Sequence, residues 1–215
     1  GGIEIDDDSN QSWIVPFVII SPYSAKKLIH ITGSAQAVFS EKHSSLEKIP
    51  GLGRKRIKAL FNASHFKAAD AEMEFISKTG LNYWCYQTPN YPALLTHCPD
   101  SPLVLFHRGA IQLETQKIIS IVGTRKISKN GKIFCEHLLK ALAPFNPVVV
   151  SGFAYGADIT AHLTAHKLGL QTIACFAHGF TQVYPSAHKK YVAPIENNGG
   201  FVSEFWSTDT FTRSN

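Results

Sequence analysis

No apolar run in this 215-residue chain approaches the roughly 20 residues that span a bilayer, and the first residues carry no secretory signal. A cytoplasmic protein without membrane contact is the expectation. Cysteine is sparse as well. Cys85, Cys98, Cys135 and Cys175 are scattered with no CxxC pair, so neither a zinc ribbon nor a disulfide framework is encoded. Reduced, mostly buried thiols are expected. There is no repeat at solenoid period and no low-complexity tract. A G-x-S-x-G elbow is missing, no cysteine has a histidine partner in sequence, and the zinc-hydrolase pattern of a Glu after the first helical His is absent. These gaps remove the common hydrolase classes, and no metal or cofactor is called for.

What is present is an ordinary globular composition, large enough for one big domain or two modest ones. The net charge of +5 is unevenly placed. Residues 24–67 hold nine basic residues against Glu41 and Glu47, whereas the rest of the chain has twelve basic and fourteen acidic residues. Such a bias suits a polyanion, and a solvated helical face would look the same.

Two patterns divide the chain. From Ser24 to about Ala71 the spacing is helical, with pieces at 26–29, 35–39, 46–61 and 64–76 separated by Gly, Ser or Pro breaks. From Leu81 onward, apolar strands at 103–106, 118–122, 148–150, 172–176 and 201–203 alternate with helices at 129–143, 157–168 and 187–196. That alternation predicts an α/β fold with a mainly parallel, helix-covered sheet. If the sheet is doubly wound, the carboxyl ends of its strands share one ligand-binding edge at a switch point. Residues 1–12 read as a disordered leader, Gly1-Gly2 being an artificial scar. Residues 13–76 then form a small helical domain and 77–215 the sheet domain.

Four turns carry the chemistry. Ile118 to Arg125 is a β-branched strand feeding Gly123, Thr124 and Arg125, with a helix following. A glycine lets a ligand approach the backbone, helix N–H groups face that spot, and a guanidinium suits phosphate. An ordinary βα turn with a surface arginine reads equally well. Next, Ser151, Gly152 and Gly156 repeat this logic ahead of a helix in which Asp158 and His162 lie one turn apart. That pair reads as a structural hydrogen bond locking the helix beside the sheet. Third, Gly179 leads through Tyr184-Pro185 to a helix with Lys189 and Lys190 in its first turn, where lysines oppose the helix dipole unless an anion is bound. Finally, Gly51, Gly53, Arg54, Lys55 and Arg56 form a G-x-G hairpin between two helices, the first ending at Pro50 and the second beginning at Arg54. Two glycines free the hairpin N–H groups for a phosphate, which makes this a candidate second DNA contact. Such hairpins also serve as packing units. Together the turns form a phosphate-binding set with no hydrolytic centre.

Taken in order, these residues resemble the DNA-processing protein A (DprA/Smf) family of bacterial natural transformation. The resemblance runs from the helix-hairpin-helix through Tyr91-Pro92, Asp100, Pro102, Val122–Arg125, Ser151-Gly152, Gly156, Asp158, Ala161-His162, Gly179, Tyr184-Pro185 and Ser203-Glu204. It implies a sterile-alpha-motif-like N-terminal domain and an extended Rossmann-like domain. It also implies single-stranded DNA binding, protection of incoming DNA and loading of the RecA recombinase without catalysis; a homodimer is a further expectation. The chain departs from the family at four places. A G-x-G hairpin near Ile20–Tyr23 is missing, Tyr155 replaces a basic residue, His188 replaces an Asn, and the sequence stops at Asn215, where the family continues into an Arg-Asn-Arg helix. The rival classes are a phosphoribohydrolase-like nucleotide-processing enzyme, whose Pro-Gly-Gly-x-Gly-Thr loop does not occur here, and a protein-binding scaffold.

Overall fold

The computed structural model describes Phe17, residues 20–114 and residues 117–212. The leader assigned to residues 1–12 lies outside them. The chain divides into two compact units, residues 1–105 and 106–215.

In the first unit, local signals set the helix ends. Helix α1 (Pro22–Thr32) starts with Pro at its first position under a Ser21 cap and stops at Gly33 in the left-handed region. Ser34 caps α2 (Ala35–Ser40), accepting from the N–H of Ala37 at 3.0 Å. Short α3 (His43–Leu46) and α4 (Arg54–Leu60) flank the hairpin, and α5 (Ala63–Thr79) follows under an Asn62 cap. Leu28, Ile29, Val38, Leu46, Leu52, Ile57 and Leu60 are buried, and the Phe39 ring packs within 5.4 Å of those of Phe17, Phe61 and Phe66. The helical stretch expected over 46–61 is interrupted. The first hairpin helix ends at Leu46, four residues before Pro50, because the chain tightens into three-residue turns such as Ile49 N–H to Leu46 O.

A six-stranded sheet runs in the order β1-β2-β6-β5-β4-β3. Its strands are β1 (Asn82–Cys85), β2 (Val104–Gly109), β3 (Ile118–Ser120), β4 (Val148–Ser151), β5 (Thr172–Cys175) and β6 (Gly199–Ser203). Strands β3 to β6 are parallel neighbours, and β2 is antiparallel to β6. Val148 and Val149 of β4 and Ile173 and Ala174 of β5 are buried, as interior parallel strands require. Between the strands lie α6 (Lys129–Leu142), α7 (Ala157–Lys167) and α8 (Val192–Glu196). Cys135 and Leu139 of α6 meet Ala161 and Ala165 of α7 and Val149 of β4 in one buried cluster. The two alanines keep α7 thin where it passes over the sheet.

Three sequence expectations change. First, β3 to β6 follow one another in chain order without a reversal, so this edge has no switch point. Successive right-handed crossovers in one direction bring consecutive helices to the same face. Second, β1 had no periodic signal in its four residues. Third, the helix expected at 187–196 is a 3-10 turn (Ser186–Tyr191) followed by α8, because Pro194 lacks the N–H that a continuous helix would need.

Candidate functional site

Parallel strands in consecutive order send their following loops to one edge, and a cleft of about 200 Å³ opens there. Loops after β3, β4 and β5 line it, together with the segment after β6. They contribute Arg125, then Gly152 to Tyr155 with Asp158, then Cys175 to His178, Tyr184-Pro185 and Phe211.

Arg125 is exposed at the rim and makes neither a hydrogen bond nor an ion pair among the described residues. Its charge is felt by Asp158. Burial raises the pKa of that carboxyl, while the Ala154 N–H, Ser151 and Arg125 pull it back. The turn holding Arg125 is fixed by α7. The Ala157 N–H donates to Thr124 O at 3.0 Å, and the Lys126 N–H to Thr124 Oγ1 at 3.1 Å. Gly156 has φ +83°, and a Cβ there would collide with Thr124 O and the Arg125 carbonyl. Only glycine permits that conformation and that approach together. A Cβ on Gly123 would lie 2.6 Å from the Ala157 Cβ. Both glycines therefore serve the junction of two loops. The helix N-termini are also committed: Ala157 N–H to Thr124 O at α7, and the Gly131 N–H to the Ser128 side chain at α6.

Asp158 and His162 do not bond each other, contrary to the pairing expected from their spacing. The reason is that both reach back to the β4–α7 loop. Asp158 Oδ2 accepts from the Ala154 N–H at 3.4 Å, and His162 Nε2 donates to Gly152 O at 2.6 Å. His162 is fully buried, which pushes its pKa down to about 4. In the neutral ring Nδ1 is then the acceptor, and Thr172 Oγ1 stands 2.7 Å from it. The two residues clamp one loop from one helix.

The other sequence candidates divide. Gly152 lines the cleft. Ser151 is buried, and its hydroxyl donates to Ile121 O at 2.6 Å, tying β4 to the end of β3. Gly179 is also buried: its N–H donates to Asp209 O at 2.8 Å, and a Cβ would strike the Trp206 and Ser207 carbonyls. Lys189 and Lys190 are exposed but do not line the cleft. They occupy the last turn of the 3-10 segment, where a cation is favoured, so the dipole argument for a compensating anion falls away.

Sequence reasoning missed the aromatic and apolar half of the cleft. Phe153 is buried and packs with its ring centroid 5.6 Å from Phe176, 5.1 Å from Phe201 and 5.2 Å from His188. His188 Nδ1 lies 2.9 Å from Phe153 O, and His178 Nε2 accepts from the Tyr184 N–H at 3.3 Å. Cys175 opens into the cleft, yet the surrounding protein and Asp158 push its thiol up to about 11. The missed signal was an aromatic one or two residues beyond strand ends, as at Phe153 and Phe176.

In the first unit, Gly51 has φ +84° and lies with Gly53 on the exposed hairpin. Arg56 Nη1 donates to Gly51 O at 2.7 Å, Arg54 pairs with Glu47 at 3.8 Å, and Lys27 Nζ donates to Pro50 O at 2.5 Å. Lys55 is exposed.

A family model described as DNA recombination-mediator protein A matches residues 82–215. This chain belongs to that family. Protein Smf of Borreliella burgdorferi is 28% identical over 151 residues, 70% of this chain and 48% of that protein. The DNA processing protein DprA of Streptococcus pneumoniae is 35% identical over 115 residues, 54% of this chain and 40% of that protein. The chain thus spans less than half the length of these relatives. The solved structure of the pneumococcal DprA shares the fold, with TM-score 0.70 and 23% identity over 94% of this chain and 69% of that one. DNA processing protein A from Helicobacter pylori, a single-stranded DNA binder, gives TM-score 0.54 and 28% identity over 62% of this chain and 60% of that one. No helix among the described residues is long and apolar enough to cross a membrane.

Proposed function

We propose that the chain binds single-stranded DNA, with little sequence preference, at the carboxyl edge of its sheet. Arg125 carries this reading: a guanidinium held at the rim of an aromatic cleft by a glycine-dependent loop junction, with no anion bonded to it among the described residues. An unpaired fork of N–H donors is what a phosphate requires, and family membership supplies the context. The primary contact set is Gly123, Thr124, Arg125, Gly152 and Gly156. Ser151 and Gly179 support it from beneath, and Lys189 and Lys190 add outlying charge. The hairpin of Gly51, Gly53, Arg54, Lys55 and Arg56 is proposed as a second DNA contact. It belongs to a helix-hairpin-helix domain of sterile-alpha-motif type over residues 13–76, with residues 77–215 as an extended Rossmann-like domain. The wider role is protection of DNA taken up in transformation and its transfer to RecA, with the chain acting as a homodimer.

The role is proposed to be non-catalytic. The obvious reactive groups in the cleft have structural tasks or unsuitable ionisation. His178 is engaged at both ring nitrogens, with Gly179 O and the Tyr184 N–H, and the Cys175 thiol is held far from thiolate. A gel-shift competition between single-stranded and duplex oligonucleotides tests the binding role, and preference for the duplex contradicts it. Release of base or phosphate from nucleoside monophosphates would instead indicate an enzyme. A RecA filament assay on DNA precoated with the protein tests the transfer step.

A further inference from the structure

A cavity of about 260 Å³ lies at the opposite end of the strands from the cleft, where the chain enters β4, β5 and β6 and leaves antiparallel β2. Its chemistry is unlike that of the cleft. The lining contains no Lys, Arg, His, Asp or Glu and no aromatic ring. Every lining residue larger than alanine is a carboxamide: Gln112, Asn146, Gln171, Asn197 and Asn198.

Turn preference accounts for part of this set. Asn146 has φ +47°, a conformation asparagine tolerates, and Asn198 Nδ2 donates to Gly169 O at 3.0 Å. Glutamine has no such preference, and the five amides come from four separate segments of chain. Gln171 acts as a brace. Its Oε1 accepts from the Gln112 N–H and its Nε2 donates to Gln112 O, both at 2.7 Å. Bonds from Ala110 N–H to Glu196 O at 2.9 Å and from Thr172 N–H to Asn198 O at 3.3 Å fix the same walls. The side-chain amides of Gln112, Asn146 and Asn197 are left with no hydrogen bond among the described residues.

Such a wall selects its ligand by exclusion. An anion would meet the carbonyl ends of α7 and α8, which stop at Lys167 and Glu196 beside the cavity. A cation would find no carboxylate in the lining, and Glu196 is already paired with Arg108. A flat apolar ring would have nothing to stack on and would take water from the amides without replacing its bonds. A hydroxyl both donates and accepts, so it can meet either end of a carboxamide. The volume is below the roughly 300 Å³ at which sites for drug-sized ligands begin, and it suits one small ring.

We propose that this cavity binds a neutral polyhydroxy molecule, a single sugar ring or a cyclic polyol, through Gln112, Asn146, Asn197 and Asn198. The site is separate from the sheet-edge cleft and does not depend on the reading of the chain as a DNA binder.

Calorimetric titration of the full chain with myo-inositol, D-glucose and D-ribose, each up to about 10 mM, tests the assignment. At least one should bind saturably, and its monophosphate ester should bind about fivefold more weakly. Asn197 and Gln112 are exposed, and their side chains hold no bond the fold needs. Asn197→Ala and Gln112→Ala should therefore fold normally and each weaken the sugar about twofold to tenfold, the range for one lost hydrogen bond. A saturating single-stranded oligonucleotide should leave the sugar affinity unchanged. Absence of saturable binding by all three compounds, tighter binding of the phosphate ester, or full affinity in both alanine variants would overturn the site. Competition by the oligonucleotide would place the ligand in the cleft and overturn it equally.

Discussion

The sheet-edge cleft and the α3–α4 hairpin use positive charge in opposite ways. In the hairpin three basic residues follow one another, but Arg56 is spent on Gly51 O and Arg54 faces Glu47. In the cleft a single arginine stands above a wall of aromatic rings, with no hydrogen bond or ion pair among the described residues. Charge density made the hairpin conspicuous in the sequence. The commitments of neighbouring groups decide which cation is available, and by that measure Arg125 is better placed than Arg54 or Arg56. The hairpin of the first unit is stabilised by its own arginines, whereas the cleft turns of the second are stabilised by glycines and a buried histidine, and Arg125 has no bonded partner among the described residues.

The largest expected effect concerns the scaffold of the cleft. Burial lowers the pKa of His162 from 6.5 to about 4, so the unfolded chain takes up that proton first as pH falls. The stability linked to this group is complete above pH 6.5, declines below it and is gone near pH 4, a change of about 3 kcal/mol. Burial also pulls His107 down to about 4, in the same direction. Urea titrations at pH 7, 5.5 and 4.5 should show the loss in the sheet unit; constant stability over that range would mean that His162 is not held neutral.

Arg125→Ala comes next. It should weaken single-stranded DNA binding by about 1.5–3 kcal/mol, the range for a hydrogen bond to a charged group. Arg125→Lys should recover only part, since it lacks the planar fork. Undiminished affinity in a folded Arg125→Ala protein, measured by fluorescence anisotropy, would reverse the ranking of the two regions. Gly156→Ala acts on the same turn from behind. With φ +83° and carbonyls in the way, it should lower stability by at least about 1 kcal/mol and weaken binding with it. An unchanged melting temperature would show that the loop junction yields.

These residues also show how much was legible beforehand. The strand-to-glycine pattern located Arg125 and the carboxyl edge, because β3 to β5 announce themselves as apolar runs. Spacing also put Asp158 and His162 on one helix. It could not reveal that both turn back to the 152–154 loop, since the competing partners of His162, Gly152 O and Thr172 Oγ1, lie ten residues away in either direction. The fate of Gly179 was equally hidden: the carbonyls of Trp206 and Ser207 close over it from the segment after β6. Tyr184 and Phe211 are 27 positions apart, and no local periodicity links a stacked pair at that distance.

The smallest effect belongs to the hairpin. Because Arg54 and Arg56 have protein partners, Lys55→Gln is the cleaner variant, and it should reduce the salt slope by roughly 0.7 if it removes one single-strand phosphate contact. The triple neutralisation of Arg54, Lys55 and Arg56 should reduce the slope further and leave the Arg125 contact in place. Should both variants keep the original slope and affinity, the hairpin is a packing unit and the contrast between the regions becomes absolute.

The salt dependence of single-stranded DNA binding by the unaltered chain is the most direct test of phosphate contact at the sheet edge. Counterions are released for every phosphate neutralised, so the logarithm of the association constant should fall linearly with the logarithm of salt concentration. The line should lie above that for duplex at every salt concentration. A flat line, or tighter binding to the duplex, would contradict it.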